Sequence, residues 1–242
     1  MQAMNTASAP ADGSAVLFNQ NFMVTGAGSG LGRALSRRLA ALGASVILLG
    51  RQSAALETLY DEIVAAGHAQ PAIVPLDLAK AGAKEFDQLR AQIESEFEGK
   101  LHGIVHCAAH FKNFQALSEL QPFDWIEPLQ VNLMAPWGLT RACFGLLEAT
   151  ENSTVMFVTC AAGHEAKAFQ GTYGVTKSAL EGMARTWSVE QRKVRIELFD
   201  PGPMRTALRR LGYPGELDAE TPPPEERLAA LIARLRGTAT AD

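Results

Sequence analysis

The chain alternates short apolar runs of strand length with longer segments in which apolar residues recur every three or four positions. The apolar runs lie at residues 22–24, 45–49, 72–76, 103–109 (a strand with its small-residue exit) and 154–159. Helical periodicity is found at residues 31–42, 54–66, 86–97, 122–147, 173–187 and 228–235. Continuous apolar runs are typical of strands buried on both faces of a parallel sheet. The alternation therefore predicts an α/β fold, a three-layer Rossmann-type doubly wound parallel sheet in a single domain.

The two ends of the chain carry weaker patterns. Residues 1–15 are small and polar, without the basic start and apolar run of a signal peptide, and we predict a disordered tail there. Residues 16–242 then form the domain. After three consecutive prolines at 222–224 only one helical pattern is visible, and residues 237–242 show no convincing strand.

Composition narrows the function classes. A chain of 242 residues, 47% of them hydrophobic, has ample core for one large domain. The net charge of −4 argues against a nucleic-acid surface, and no apolar stretch is long enough to span a bilayer, so neither nucleic acid nor membrane is an expected partner. Three cysteines without a C-x-x-C pair are typical of a reduced, cytoplasmic protein. His110 and His164 follow strands, but no third ligand has the spacing of a metal site.

Residues 25–32, with the sequence TGAGSGLG, join the first strand to the first helix. Gly26, Gly30 and Gly32 let the backbone turn tightly and approach a pyrophosphate. The following helix offers free N–H groups and the positive end of its dipole. The motif favours a dinucleotide site, although a glycine-rich loop that only turns the chain has the same local pattern.

The end of the second strand bears on the choice of nucleotide. An NAD-binding unit is expected to carry an acidic residue about 20 positions after the glycines, to hold the ribose 2′-hydroxyl. Gly50 and Arg51 occupy this region, and no acid is present. Arg51 can instead meet a 2′-phosphate, which favours NADP(H) over NAD(H); the alternative is a solvated arginine at a strand end.

Tyr173 and Lys177 lie one helical turn apart, directly behind the fifth strand. Positions i and i+4 share a helix face, so the ammonium can lie near the phenol. A free phenol has a pKa of about 10, too high for efficient proton transfer at neutral pH, and a neighbouring cation lowers it. In this context the pair predicts an acid/base site, although the spacing alone often occurs by chance.

Several motifs in one order resemble the short-chain dehydrogenase/reductase family, from about residue 22 to residue 206. They are the glycine motif at 25–32, Asp77 after the third strand, Asn132, the pair Tyr173 and Lys177, and Pro201 and Gly202 with Thr206. Within the family the chain is similar to the YciK-like oxidoreductases, through residues 46–51 (VILLGR) and 201–207 (PGPMRTA).

The resemblance implies hydride transfer between a nicotinamide and a carbonyl or alcohol carbon, with the protein supplying alignment and a tuned proton. Tyr173 is implied as the acid/base, Lys177 as the cation that lowers its pKa and holds the nicotinamide ribose, and Asn132 as the residue that positions a relay water. Asp77 is implied as the adenine contact. The other implied cofactor contacts are Gly26, Gly28, Ser29, Gly30, Leu31, Gly32, Arg51, Leu78, Ala108, Pro201, Gly202 and Thr206.

The chain departs from the family pattern at two places in the site. The serine expected thirteen residues before the tyrosine is replaced by Cys160, which we retain as a catalytic position although a thiol is a weak donor. The adjacent Thr159 is expected to face the other way from the strand. After the fourth strand, Cys107 and Ala109 stand where the family usually has Asn and Gly, and the Ala109 methyl lies where the cofactor backbone usually passes.

Two functions are compatible with these observations. The first is an NADP(H)-dependent oxidoreductase of this family that acts on a small-molecule carbonyl or alcohol. The second is a catalytically weak cofactor-binding protein that serves as a redox sensor or assembly partner. Intact Asn132, Tyr173 and Lys177 favour the first function, and the substituted positions favour the second.

The segments expected to bind the substrate and to join the subunits are less diagnostic than the motifs above. The substrate pocket is expected in the loops around residues 110–120, 163–171 and 203–222, which carry no diagnostic motif. The helices around 122–147 and 172–190 are expected to form a homodimer or homotetramer, as the resemblance implies.

Overall fold

The computed structural model describes residues 16–238, in which six parallel strands form one sheet. The strands are β1 (Asn21–Thr25), β2 (Ser45–Gly50), β3 (Ala72–Pro75), β4 (Gly103–His106), β5 (Thr154–Val158) and β6 (Arg195–Phe199). Their order in the sheet is β3-β2-β1-β4-β5-β6, and every neighbouring pair is parallel. The predicted doubly wound parallel sheet is confirmed.

Helices cover both faces of the sheet and form two cores. They are α1 (Gly30–Ala41), α2 (Ser53–Ala65), α3 (Ala83–Glu96), α4 (Ile126–Leu129), α5 (Ala135–Ala149), α6 (Gly171–Glu190), α7 (Ala207–Gly212) and α8 (Leu228–Leu235). Successive strand residues point to opposite faces, so Val24 and Val105 pack with α1, α2 and α8, whereas Met23 and Ile104 pack with α3, α5 and α6. This is the predicted three-layer arrangement.

The centre of the sheet determines where a ligand can bind. β1 pairs with β2 on one side and with β4 on the other, so the chain crosses over between the two halves of the sheet. Such a switch point leaves a crevice outside the carboxyl ends of the strands. The turn after β1 and the loops after β4 and β5 all open into this crevice.

The sequence pattern predicts five strands, and the structure adds a sixth, β6. Its residues alternate Ile196 and Leu198 with Arg195 and Glu197, and nearly all are half-buried. This is the pattern of a strand at the edge of a sheet, unlike the continuous apolar runs that mark the buried strands. Among the described residues it is the last strand of the sheet.

The helical segment expected at 122–147 is interrupted in the structure. Residues 130–134 form a π-helical segment between α4 and α5, and Pro136 lies in the first turn of α5, where a missing N–H costs little. No helix in residues 16–238 is long and apolar enough to cross a membrane. The predicted tail at 1–15 and residues 239–242 lie outside the described residues.

Candidate active site

The turn between β1 and α1 has a backbone that only glycine accommodates easily. Gly26 (φ +68°) and Gly30 (φ +51°) are in the left-handed region. A Cβ on Gly32 would overlap the carbonyl oxygen of Gly26. The Ser29 side chain makes no capping hydrogen bond to α1. The first N–H groups of α1 are therefore available to a phosphate group.

Two predicted adenosine contacts lie at the same edge of the sheet. Arg51 follows β2, is 64% exposed, and its guanidinium lies 3.9 Å from a carboxylate oxygen of Glu127. An exposed pair at this distance is weak, so the guanidinium can exchange Glu127 for another anion. Asp77 follows β3, and its Oδ1 accepts a hydrogen bond from the Ala79 N–H at 3.1 Å, which fixes the carboxylate beside Leu78.

Tyr173 and Lys177 lie on the face of α6 that meets the end of β5. Lys177 is 4% exposed, and its Nζ donates to the Val158 carbonyl oxygen at 2.9 Å. The same Nζ lies 5.8 Å from the centre of the Tyr173 ring. The Cys160 thiol donates to the Tyr173 hydroxyl oxygen at 3.5 Å. The structure therefore brings together the tyrosine, the lysine and the substituted serine position.

Burial dominates the electrostatics of this group. It raises the pKa of Tyr173 well above its ordinary value, with a further contribution from Cys160, and it lowers the pKa of Lys177. The Lys177 ammonium is directed at the Val158 carbonyl oxygen in this structure, and the lowering of the phenol pKa by Lys177 stays a prediction. Because burial raises its pKa, Tyr173 is protonated at neutral pH, the state required of a group that donates a proton to a carbonyl oxygen.

The loop after β6 forms the opposite wall of the crevice. Gly202 has φ +69°, and its N–H donates to Asp200 Oδ1 at 2.7 Å. Thr206 caps α7, because its Oγ1 accepts a hydrogen bond from the Arg209 N–H at 3.2 Å. A Cβ on Gly30 would lie 3.3 Å from Thr206 Cγ2. The loop after β6 and the glycine turn thus approach each other closely.

One cavity of about 740 Å³ connects these parts, a size typical of ligand pockets. Its lining includes every predicted cofactor contact, namely Gly26, Gly28, Ser29, Gly30, Leu31, Gly32, Arg51, Asp77, Leu78, Ala108, Tyr173, Lys177, Pro201, Gly202 and Thr206. Cys160 also lines the cavity, and so do residues from all three expected substrate loops. A dinucleotide fits this lining, because the glycine turn and the uncapped start of α1 present backbone N–H groups to the cavity.

Asn132 lies behind the cavity wall and is buried in the π-helical segment. Its Oδ1 accepts a hydrogen bond from the His110 N–H at 2.7 Å, and its Nδ2 donates to the His110 carbonyl oxygen at 2.9 Å and to Thr176 Oγ1 at 3.0 Å. The side chain therefore fixes the loop after β4 against α6. The water relay implied for Asn132 stays a prediction.

Residues 20–214 match the family model for short chain dehydrogenases. The chain belongs to this family. The uncharacterized oxidoreductase YciK of Escherichia coli K12 is 32% identical over 202 residues, which cover 83% of this chain and 80% of that protein. A short chain dehydrogenase from Shigella flexneri, solved in complex with NADP, has a TM-score of 0.88 at 29% identity and covers 92% of this chain and 93% of its own. Another from Escherichia coli CFT073, solved with NADPH, has a TM-score of 0.88 at 30% identity and covers 92% of each chain.

The structure also shows the surroundings of Cys107 and Ala109, the two residues after β4 that depart from the family pattern. Burial raises the pKa of Cys107 to about 12, so this residue stays a neutral thiol at physiological pH. The Ala108 N–H donates to Thr25 Oγ1 at 3.1 Å, and its backbone lies so close to Gly26 that a Cβ there would be 3.0 Å away. Ala109 lines the cavity, which remains open past its methyl group.

A polar network on the other side of β5 was not foreseen from the sequence. Glu181 on α6 is 2% exposed and accepts a hydrogen bond from Thr159 Oγ1 at 2.6 Å. His164 Nδ1 lies 3.0 Å from the same carboxylate oxygen, and Arg185 pairs with the other oxygen. His164 Nε2 is 3.8 Å from an oxygen of Asp200. Thr159 thus points away from Cys160, as expected, and the network links the loops that follow β5 and β6.

The pKa values follow from these contacts. The hydrogen bond to Glu181 raises the pKa of His164. Burial opposes ionisation of Glu181, but its hydrogen bonds with Thr159 and His164 outweigh that effect and leave its pKa below the ordinary value. A sequence signal was present, because Glu181 follows Lys177 by four positions and so shares its inward helix face.

Proposed function

We propose that the chain is an NADP(H)-dependent oxidoreductase that transfers hydride between the nicotinamide and a small-molecule carbonyl or alcohol. The observation that carries this proposal is one continuous cavity. It joins the uncapped glycine turn and Arg51 at one end to Tyr173, Lys177 and Cys160 at the other. A reduced compartment such as the cytoplasm suits its unpaired cysteines.

The residues that would hold NADP(H) are distributed along this cavity. The glycine turn would take the pyrophosphate, Arg51 the 2′-phosphate and Asp77 the adenine, while Lys177 and Thr206 would face the nicotinamide end. When bound, the cofactor supplies or accepts the hydride. The NADP and NADPH complexes of the similar structures support this cofactor. The preference over NAD(H) rests on Arg51.

The chain's own residues would manage the proton. In reduction, Tyr173 donates its hydroxyl proton to the carbonyl oxygen as negative charge develops there. Burial holds that proton on the phenol beforehand, and the buried Lys177 ammonium stabilises the phenolate that remains. The Cys160 thiol, next to the same hydroxyl, supplies a second and weaker donor.

Cys160 also favours a second candidate, a cofactor-binding protein with little turnover. A weak donor in place of the serine hydroxyl stabilises the developing oxyanion poorly. In that case the chain would act as a redox sensor or an assembly partner, with cofactor binding retained.

Turnover measurements separate the two candidates. NADPH and NADH oxidation would be followed with a panel of ketones and aldehydes, and reduction of the oxidised cofactors with the matching alcohols. Calorimetric titration of each cofactor into the protein runs in parallel. Turnover of any panel member supports the oxidoreductase; tight cofactor binding without turnover supports the second candidate, and absence of binding contradicts both.

A further inference from the structure

Three aromatic rings form a continuous surface beside the proposed proton donor. We call Phe111, Phe114 and Tyr213 the aromatic wall. The Phe111 ring meets Tyr173 edge to face at a centroid distance of 5.2 Å. Phe114 meets Phe111 at 5.1 Å, and Tyr213 meets Phe114 at 5.4 Å, both in T-shaped geometry. All three residues line the cavity, so the wall extends outward from the Tyr173 ring.

The loop that carries Phe111 and Phe114 is anchored on both sides of these residues. Asn132 binds both backbone groups of His110, immediately before Phe111. The N–H of Gln115, immediately after Phe114, donates to the Phe169 carbonyl oxygen at 2.6 Å. A short loop held at both ends keeps its rings in place. A ligand that stacks on them therefore binds with little entropic cost for ordering the loop.

Tyr213 reaches the wall from the other side of the cavity. It follows α7, whose last residue, Gly212, lies so close to Phe114 that a Cβ there would be 3.0 Å from the ring. Phe114 is 37% exposed and Tyr213 is 45% exposed. Both rings therefore offer apolar surface to a ligand while packing against each other.

Cations near the wall already have partners within the chain. Arg209 makes two contacts of 2.6 Å with the Glu216 carboxylate, and its guanidinium lies 4.4 Å from the centre of the Tyr213 ring. Lys167 lies 2.9 Å from a carboxylate oxygen of Glu165. The Lys167 pair is exposed and weak, but an anionic substrate at Arg209 would have to displace Glu216 from a partly buried pair with two hydrogen bonds.

Arg205 is not placed to bind an acidic substrate at the aromatic wall. Its guanidinium donates to the Asp218 carbonyl oxygen at 3.1 Å, and it lies outside the cavity lining. The Arg209–Glu216 pair and the three rings both favour a neutral ligand.

We infer that the substrate is an uncharged ketone or aldehyde, or the matching alcohol, whose reacting carbon carries a flat aromatic group that lies on the aromatic wall. This inference rests on the proposed function, because Tyr173 marks the position of the carbonyl oxygen. Aromatic pairs in offset or edge-to-face contact are favoured beyond the apolar area they bury, whereas a saturated ring of the same size gains the area alone.

Binding to the protein saturated with NADP⁺ tests the inference, because the oxidised cofactor cannot reduce a ketone. The probes are methyl naphthyl ketone, its saturated decalyl counterpart, and a naphthyl ketone with a carboxylate on the far ring. We expect the neutral naphthyl ketone to bind about tenfold more tightly than the decalyl ketone, and more tightly than the carboxylate. The Phe114→Leu variant should lose the preference for the aromatic probe while keeping the affinity for the saturated one.

A matched control is available in Phe123, which is exposed and lies outside the cavity lining. Phe123→Ala should leave all three affinities unchanged. Equal or tighter binding of the decalyl or charged probe, no measurable binding of the naphthyl ketone, or an unchanged aromatic preference in Phe114→Leu overturns the inference.

NADPH oxidation with the same ketones separates this inference from the proposed function. Selective naphthyl binding without NADPH oxidation in the presence of any of the ketones supports the aromatic class and contradicts the oxidoreductase. NADPH oxidation that occurs only with the decalyl or the charged ketone supports the oxidoreductase and overturns the aromatic class.

Discussion

The Cys160 thiol is a donor to the Tyr173 hydroxyl oxygen, at 3.5 Å. Both groups line the cavity at the point where a carbonyl oxygen would be polarised. A thiol donates a weaker hydrogen bond than a hydroxyl does, so the oxygen would receive one strong donor and one weak donor. If the protein reduces a carbonyl, we expect the weak donor at Cys160 to limit the rate of that reaction.

Cys160→Ser should raise turnover on any carbonyl that the protein accepts. Removing a good donor from such a site costs about 10²–10³ in rate, so restoring one should raise kcat by at least about tenfold. Steady-state kinetics measures the change, and NADP(H) affinity should stay constant. Cys143→Ala, at a buried cysteine on α5 outside the cavity lining, is the control. Unchanged or lower kcat in the serine variant would show that the thiol suits its own substrate or is irrelevant.

Tyr173→Phe should abolish turnover while leaving cofactor affinity nearly intact. The hydroxyl supplies proton transfer, typically worth 10²–10⁴-fold, and the ring that lines the cavity remains. Tyr213→Phe is the matched control, because it removes a hydroxyl from the aromatic wall and should keep most activity. If the Tyr173 variant stays active, another group supplies the proton.

The sequence was most informative where the chemistry is local. The glycine turn, Arg51 and the pair Tyr173 and Lys177 are short-range patterns, and the cavity contains all of them. Helical periodicity also predicts which residues share a helix face, but it does not predict which side chains of neighbouring elements that face contacts.

Contacts between distant segments were beyond the reach of pattern reasoning. The Lys177 ammonium donates to the Val158 carbonyl oxygen instead of the phenol. The Asn132 side chain is hydrogen-bonded to the backbone of His110. The network around Glu181 depends on how β5 and β6 bring their loops together. These features follow from tertiary packing, which sequence spacing does not encode.

Arg51→Ala should reduce the affinity for NADP(H) far more than that for NAD(H). Hydrogen bonds to charged groups contribute about 1.5–3 kcal/mol, so the loss for NADP(H) should be on the order of 10–100-fold. Calorimetry with both cofactors measures it, with Arg37→Ala, at an exposed arginine of α1 outside the cavity, as the control. Equal affinities in the wild type, or a retained preference in the variant, contradict the assignment.

The protein should form a homodimer or homotetramer through the helices around 122–147 and 172–190. Ile126 on α4 is 69% exposed, and Trp137 and Val175 on α5 and α6 are also exposed, which gives these helices apolar surface to bury. Light scattering measures the mass, and Ile126→Lys should weaken assembly, whereas Leu217→Lys, outside both helices, should not. A monomeric mass at micromolar concentration would refute the prediction.

His164 should make stability depend on pH. Its hydrogen bond to Glu181 raises its pKa above the ordinary 6.5, and Asp200 and Glu165 add to the effect, while Arg185 competes for the same carboxylate. Because the folded-state pKa is the higher one, the stabilisation is fully present below about pH 6.5 and is lost as the pH rises through the folded-state value.

His164→Asn should therefore lower Tm most in acid, and the difference from wild type should shrink as the pH rises from about 6.5 through the folded-state pKa of His164. Thermal unfolding across this range measures it. His68→Asn, at a histidine that follows α2 and is remote from the network, is the control. A His164→Asn difference that stays constant with pH would mean that the histidine contributes packing alone, without the charge that couples it to Glu181.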